Sequence, residues 1–288
     1  VHLFDPVAAA IADSEALLTI QNDDPAPTLS ANTPTAVEGS GVMTFTLSLD
    51  ALSNLDTTVD YWTSDGTAVA GQDYTAVATA TLTIPAGDIS AAVGVPITDD
   101  ALDEPDETLV LNLANPGNAT LAADSAIGTI TDDEGEPTVQ FSAVDYAVAE
   151  TGGSATITVT LDAVSGRDVG ITVVGNDLSA TAGIDYAAVN ETLTIPAGQQ
   201  SLAFTVPITD DLLYEGNETL RVQLAAPSFA IVGTPSSATL TIVDDEPPPV
   251  VSFSADAYSA AENGGSATVT VTLDAVSSLP VQVAVATA

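Results

Sequence analysis

Apolar and polar residues alternate with a period of two along much of the chain. In "VMTFTLSLD" the apolar residues Met43, Phe45, Leu47 and Leu49 alternate with hydroxyl-bearing residues, and "SATITVTLD" follows the same rule. Such alternation is typical of β-strands with one buried face. Turn-forming stretches such as "PAG", "DG" and "NPG" separate these segments, and no segment shows a convincing helical stripe. The pattern predicts an all-β fold.

The sequence also repeats itself. Glu38, Glu150 and Glu262 are spaced 112 residues apart, and each precedes a similar alternating segment. "VPITDDALDEPDETL", from Val95, returns as "VPITDDLLYEGNETL", from Val206. Self-similarity at a fixed period indicates tandem structural units. We predict two complete repeats, residues 28–136 and 137–248, preceded by the C-terminal strands of an earlier repeat (1–27) and followed by the N-terminal strands of a truncated one (249–288).

Each repeat has room for about seven strands, the number of an antiparallel, immunoglobulin-like β-sandwich. The connecting segments "DDEGEP" and "DDEPPPV" are short and contain proline, so we expect the tandem sandwiches to form a semi-rigid rod. The incomplete terminal repeats would leave core positions open to water. We therefore expect this sequence to be a window from a longer array, with strand exchange between identical chains, giving a homopolymer, as the alternative.

The charge balance limits the partners. The formal net charge is -38 over 288 residues, and the cationic side chains are two arginines and one histidine. Self-repulsion at this density opposes folding unless cations bind, and it makes nucleic acid and anionic membranes poor partners. Apolar residues still make up 45% of the chain, so a core can form. No apolar run approaches the length of a membrane span.

Catalytic signatures are missing from the sequence. There is no cysteine, which excludes disulfides, thiolate metal sites and thiol nucleophiles, and a single histidine leaves little acid–base chemistry near neutral pH. Paired carboxylates could in principle cleave glycosides, but here they recur once per repeat, which suits a structural role better than a single active site. We predict that the protein is not an enzyme and has no catalytic residues.

Acidic residues recur at corresponding points of both full repeats, where a strand pattern gives way to a loop. Loops at one end of a sandwich lie close together, and carboxylates that meet there cannot all stay ionised without a cation. Calcium takes six to eight hard oxygen ligands, whereas zinc or copper would require histidine or cysteine. The recurring acids are Glu38, Asp73, Asp99, Asp100, Glu104, Asp132 and Asp133 in the first repeat, and Glu150, Asp185, Asp210, Asp211, Glu215, Asp244 and Asp245 in the second.

The blocks "AVEGSG", "YWTSDGTAVAGQDY", "VPITDDALDEPDETLVLNL" and "GTITDD" resemble the Calx-β motif, a repeat of sodium/calcium exchangers and of large bacterial surface proteins. The resemblance covers nearly all of the chain. It implies a seven-stranded sandwich with calcium ions clustered at one end, held by the recurring acids of each repeat. It also implies that Asp23 and Asp24 occupy the closing ligand position of the preceding repeat. Glu134 and Glu246 stand where the motif has an aspartate, a departure that bears on the number and affinity of the ions rather than on the existence of a site. Glu107 and Glu218 also recur, but each opens a strand, which favours a structural hydrogen bond.

These observations predict a calcium-binding structural segment of a secreted or cell-surface bacterial protein, acting as a stalk, adhesin or extracellular filament subunit. The expected partners are calcium ions, neighbouring repeats of the same or identical chains, and a surface glycan or protein receptor. A calcium-sensing regulatory module and a metal-assisted carbohydrate-binding module are the alternatives. A cytosolic regulator would be expected to contain more lysine, which disfavours the first of them.

Overall fold

Strands make up nearly all the regular structure of residues 1–287, the part of the chain that the computed structural model describes. The helical segments in these residues are the short 3-10 turns Glu38–Ser40, Glu150–Gly152 and Glu262–Gly264. None of the helices in residues 1–287 has the length and apolar character needed to cross a membrane. The prediction of an all-β fold is confirmed.

The chain divides into two units. The first unit consists of Val1–Asp99 and Asp106–Thr131, and the second of Asp100–Pro105 together with the residues from Asp132 onward. Each unit has its own hydrophobic core.

The first unit contains two packed sheets of nine strands in all. One sheet has the strand order β6-β3-β1-β8 and the other β2-β9-β7-β4-β5. The strands are β1 (Thr28–Ala31), β2 (Thr35–Val37), β3 (Val42–Leu49), β4 (Thr57–Asp65), β5 (Ala80–Ile84), β6 (Ser90–Pro96), β7 (Glu107–Gly117), β8 (Thr120–Leu121) and β9 (Ser125–Thr131).

The core of the first unit follows the alternation of the sequence. Met43, Phe45 and Leu47 on β3 are fully buried, as are Leu109 and Leu111 on β7 of the facing sheet. Removing large apolar side chains from water is the main favourable contribution to folding. The inward-facing residues expected for the "VMTFTLSLD" segment are therefore confirmed.

The second unit repeats this arrangement and adds a two-stranded sheet, β19-β20. Its other sheets have the orders β15-β12-β10-β17 and β11-β18-β16-β13-β14. The strands are β10 (Thr138–Phe141), β11 (Asp145–Ala149), β12 (Ser154–Leu161), β13 (Val169–Asp177), β14 (Asn190–Ile195), β15 (Ser201–Pro207), β16 (Glu218–Ser228), β17 (Ile231–Val232), β18 (Ser237–Val243), β19 (Val251–Phe253) and β20 (Val271–Leu273).

The difference between nine strands and the predicted seven has a simple origin. The first strand of each sandwich is divided: β1 pairs antiparallel with β3 in one sheet, and β2 pairs parallel with β9 in the other. In addition, the two-residue strand β8 pairs parallel with β1. The same division recurs in β10, β11 and β17 of the second unit. Because this first strand changes sheets, its end brings Glu38 or Glu150 to the end of the sandwich.

The terminal segments have little regular structure. Residues 1–27 contain an isolated bridge between His2 and Glu15 and no strand. Their apolar side chains are open to solvent, with Leu17 94% and Ile20 89% exposed. Phe253 on β19 is 60% exposed.

Candidate metal centre

A tight turn places the buried carboxylate around which the candidate site of the second unit is built. Strand β11 runs into the 3-10 turn Glu150–Gly152, which closes at Gly153 in the left-handed region, at φ 68°. This backbone conformation favours glycine, which has no Cβ. The Gly153 carbonyl accepts a hydrogen bond from the Ile208 N–H at 3.0 Å, so the turn is held against the segment that leads to Asp210 and Asp211. Glu150 is only 5% exposed.

Two groups of carboxylates meet at Glu150. Oxygen atoms of Glu150, Asp211 and Glu215 lie within 4.8 Å of one another, and so do oxygen atoms of Glu150, Asp245 and Glu246. We call these five residues the acid cluster. They come from the end of β11, the loop after β15 and the end of β18, three places far apart in sequence. We expect the recurring acids to come together in the loops at one end of the sandwich. In the second unit this is found for Glu150, Asp211, Glu215 and Asp245.

The pKa values of the acid cluster show the cost of this arrangement. Burial raises the pKa of Glu150 to about 7, and the charges of Asp211, Glu246 and Asp244 add to the effect. Burial also raises the pKa of Glu215 and of Glu246, and in both cases neighbouring carboxylates contribute. Like charges in a poorly solvated site disfavour one another's ionised form. Without a cation, Glu150 is therefore partly protonated near neutral pH.

A neighbouring pair extends the site. Asp185 is largely buried, and the carboxyl group of Glu218, at the start of β16, hydrogen-bonds with it. Burial raises the pKa of Glu218 to about 7, with further contributions from Asp185, Glu215 and Glu150. The charges of Glu215 and Glu150 thus link this pair to the acid cluster.

Asp211 and Asp244 also order the loop that carries Glu215. One carboxylate oxygen of Asp211 accepts the Leu213 N–H at 2.7 Å, which shapes the loop that carries Glu215. Asp244 accepts the Gly216 N–H at 3.1 Å and so holds the other side of the same loop. A carboxylate has several lone pairs, so an oxygen that caps a backbone N–H leaves acceptor capacity for a cation. Asp244 therefore supports the loop of Glu215 and still has acceptor capacity for a cation.

The residues present fit a hard cation. Glu246 Oε2 is buried and finds no hydrogen-bond partner among residues 1–287. The cationic side chains of these residues are engaged or placed elsewhere: Arg167 Nε lies 3.5 Å from Asp103, His2 lies 3.4 Å from Glu15, and Arg221 is exposed on β16. A donor set made of carboxylate oxygens is the set that calcium prefers.

Some predicted ligands lie outside the acid cluster. Asp210 is exposed, although its neighbour Asp211 is part of the cluster. Asp23 and Asp24 are exposed in a segment without strands. A role as ligand stays a prediction for these three residues, as it does for the other acids of the site.

The first repeat has the same local geometry at the matching positions. Glu38 is 5% exposed and begins a 3-10 turn that closes at Gly41, with φ 76°. Asp100 accepts the Leu102 N–H at 2.8 Å, and Asp132 accepts the Glu104 N–H at 3.0 Å, as Asp211 and Asp244 do for their loops. The predicted ligands Glu38, Asp73 and Asp99 belong to the first unit, and Asp100, Glu104, Asp132 and Asp133 to the second.

Two further carboxylates of the second repeat lie at the candidate site. The sequence predicts a structural role for Glu218 and a departure from the motif at Glu246, but Glu218 hydrogen-bonds with Asp185 and Glu246 is part of the acid cluster. The available signal was recurrence, because Glu107 and Glu218 are matched in the two repeats, as are Glu134 and Glu246.

Fold and site together define a protein of tandem β-sandwiches with carboxylate clusters at their ends. The Calx-beta domain family matches residues 21–134, 132–246 and 244–288, and the chain belongs to this family. The resemblance drawn from the sequence blocks is confirmed.

Relatives of this chain include long extracellular matrix proteins. Extracellular matrix protein 3 of Lytechinus variegatus is 33% identical over 180 residues, which cover 58% of this chain and 6% of that protein. FRAS1-related extracellular matrix protein 2 of Homo sapiens is 29% identical over 180 residues, 59% of this chain and 6% of that protein. The chain thus spans a small fraction of the length of these relatives.

Solved structures of Calx domains are also similar to this chain. CBD12 from CALX1.2 is 19% identical with a TM-score of 0.37, over 75% of this chain and 99% of that one. The apo-form Calx CBD1 domain is 25% identical with a TM-score of 0.37, over 38% of this chain and 98% of that one.

Proposed function

We propose that this chain is a calcium-binding structural segment of an extracellular protein. The observation that carries the proposal is the surroundings of Glu150, which is 5% exposed and shares two close groups with Asp211, Glu215, Asp245 and Glu246. No cationic side chain within residues 1–287 makes an ion pair with these carboxylates. A bound cation would neutralise these carboxylates in their ionised form while the loops stay folded.

The acid cluster would hold the ion, with Asp185 and Glu218 beside it. Calcium supplies positive charge and tolerates the irregular oxygen geometry of such loops. The role of the chain is to fix the carboxylates: the 3-10 turn holds Glu150, Asp244 supports the loop of Glu215, and Asp211 shapes that loop. The ion therefore meets groups that the fold has already placed.

The proposed location outside cells is supported by the relatives of this chain. The relatives are named as extracellular matrix proteins, although this chain covers only 6% of two of them. Extracellular calcium modules typically bind with dissociation constants of about 0.1 to 1 mM. For a dissociation constant of about 0.1 mM, about 1 mM calcium would stabilise each site by about 1.4 kcal/mol. Such a site is filled outside cells and largely empty at cytosolic calcium levels.

The finer form of the proposal is a calcium-stiffened stalk, adhesin or filament subunit. Tandem repetition with short, proline-containing connections supports it. Small-angle scattering of the protein in calcium and in EDTA tests this role. A narrower distribution of conformations is expected in calcium, and identical curves in the two conditions would count against stiffening.

The direct test of binding is thermal unfolding with calcium, with magnesium and with EDTA. Calcium is expected to raise the melting temperature more than magnesium does. Asp211→Asn should reduce the rise in melting temperature that calcium gives the second unit. Asp145 is an exposed acid at the start of β11, and Asp145→Asn should show the same rise as the wild type. An unchanged melting temperature in calcium would refute the proposal.

A further inference from the structure

The loop that carries Asp185 is held by hydrogen bonds to Asp177, a carboxylate outside the predicted ligand set. Strand β13 ends at Asp177, an exposed residue. Asp177 Oδ1 accepts two hydrogen bonds, one from the Ala182 N–H at 3.0 Å and one from the hydroxyl of Tyr186 at 2.5 Å. Tyr186 is 1% exposed and directly follows Asp185 in sequence. A single carboxylate oxygen thus joins both ends of the loop.

The position of the Asp185 carboxylate follows from this loop. Asp185 Oδ2 accepts the Thr181 N–H at 2.7 Å, and the Asp185 carbonyl accepts the Thr209 N–H at 2.9 Å. Tyr186 also forms an antiparallel bridge with Ile208, just before the loop that carries Asp211. The buried tyrosine ring is therefore anchored in the core while its hydroxyl fixes Asp177 and the loop outside.

The first unit contains the same arrangement 112 residues earlier. Asp65 Oδ1 accepts the Ala70 N–H at 3.0 Å and the Tyr74 hydroxyl at 2.7 Å. Asp73 Oδ2 accepts the Val69 N–H at 2.6 Å. Five atoms of each loop thus have the same roles in both units, although the intervening residues differ, "GTAV" after Asp65 and "LSAT" after Asp177.

We propose that Asp65 and Asp177, together with Tyr74 and Tyr186, are positioning residues for the calcium-binding carboxylates Asp73 and Asp185. This inference rests on the proposed function. The Oδ1 atom of each positioning aspartate accepts two donors of the protein, while Asp73 and Asp185 each accept a backbone N–H of the same loop through Oδ2. The aspartate–tyrosine pair therefore acts through the loop, whose conformation sets the position of the Asp73 or Asp185 carboxylate.

The experiment compares three double variants of the full chain, so that both repeats change together. Asp65→Ala with Asp177→Ala removes the acceptor, and Asp65→Asn with Asp177→Asn keeps an Oδ1 acceptor but removes the charge. Tyr74→Phe with Tyr186→Phe removes only the hydroxyl donors and keeps the ring in the core. Calcium dissociation constants are measured by isothermal titration calorimetry below the unfolding range, and amide hydrogen exchange of the calcium-free proteins is measured at Ala70 and Ala182.

The alanine pair is expected to bind calcium about 10-fold more weakly, the loss typical of removing support from a metal ligand. The asparagine pair should stay within about twofold of the wild type, because the acceptor is retained. The phenylalanine pair should weaken binding in the same direction as the alanine pair, and it remains informative if the alanine pair fails to fold. Amide exchange at Ala70 and Ala182 should be faster in the alanine pair, which lacks the acceptor of these two N–H groups, and should stay at the wild-type rate in the asparagine pair.

Each other outcome contradicts a specific statement. If the asparagine pair loses as much affinity as the alanine pair, Asp65 and Asp177 are ligands rather than positioning residues. If the melting temperature without calcium falls but the dissociation constant is unchanged, the pairs are purely structural. A wild-type chain that does not bind calcium overturns the proposed function and this inference together, whereas wild-type binding with unchanged variants overturns this inference alone.

Discussion

Replacing Glu150 by glutamine should have opposite effects on stability with and without calcium. In the calcium-free protein, burial and the carboxylates of Asp211 and Glu246 raise the pKa of Glu150 to about 7, from an ordinary value of 4.5. The folded protein then binds more protons than the unfolded one between these two pH values. Stability from this group is fully present below pH 4.5 and is lost as the pH rises through 7.

The size of the effect follows from this difference in pKa. The raised pKa lowers the free energy of unfolding by about 3 kcal/mol at pH 8, where the folded group is ionised, and by about 1 kcal/mol at pH 5, where the group takes up a proton on folding. Glutamine has nearly the same shape and no charge. In EDTA at pH 8, Glu150→Gln should therefore melt above the wild type, by about 6 to 12 °C for a unit of this size. At pH 5 the gain should shrink to about a third.

In calcium, the wild type should melt above Glu150→Gln. Glu150 contributes to both carboxylate groups, so its loss weakens ion binding, and a 10-fold loss of affinity removes about 1.4 kcal/mol of stabilisation at excess calcium. In the wild type, the bound ion also neutralises the Glu150 charge, so the variant no longer gains stability by removing that charge. Differential scanning calorimetry in EDTA and in calcium measures both effects, with Asp145→Asn as the control for removing one acid elsewhere in the unit. A variant that melts at or below the wild type in EDTA at pH 8 would refute the reasoning from repulsion.

Two further predictions concern pH and the backbone. Calcium affinity should fall as the pH drops from 8 to 6, because protons compete for Glu150 and Glu218, whose pKa values lie at about 7; titration calorimetry at the two pH values measures this, and equal affinities would contradict it. Gly153→Ala should cost about 1 to 2 kcal/mol, since its φ of 68° is strained for alanine although nothing lies within 4 Å of the added Cβ. Gly135→Ala, which also meets open space but has no positive φ, is the matched control, and equal denaturation midpoints for the two variants would refute strain at Gly153.

The parts of this structure that could be predicted from sequence are those that depend on periodicity. Alternation identified the buried faces of β3 and β12 because one side of a sandwich strand always faces the core. Recurrence identified Glu150, Asp211, Glu215 and Asp245, because loops at one end of a sandwich must meet. Both inferences use geometry that every sandwich shares.

Other parts depend on details that the pattern does not contain. Asp210 and Asp211 are equivalent in sequence, and only the direction of each side chain separates the exposed residue from the clustered one. Glu218 opens β16, and its inclusion in the site depends on the pairing that sets it opposite Ile242 on β18. Asp177 was not singled out because its role depends on a tyrosine hydroxyl nine residues further along the chain. Side-chain direction and pairing register are tertiary properties, so they became visible only in the folded chain.

The separation between core and acid cluster determines what calcium can do to this protein. In the second unit, Phe141, Ile157, Leu220 and Leu240 form a core that requires no ion, and burial of such side chains is sufficient to fold a sandwich of this size. The acids lie in the loops and strand ends at one end of the sandwich, where Asp185, Asp211 and Asp244 each accept a backbone N–H of a loop. Repulsion without calcium therefore acts on the loops more than on the sheets. We expect removal of calcium to loosen the ends of the sandwich while its strands stay paired, so that calcium controls the order of the loops rather than the existence of the fold.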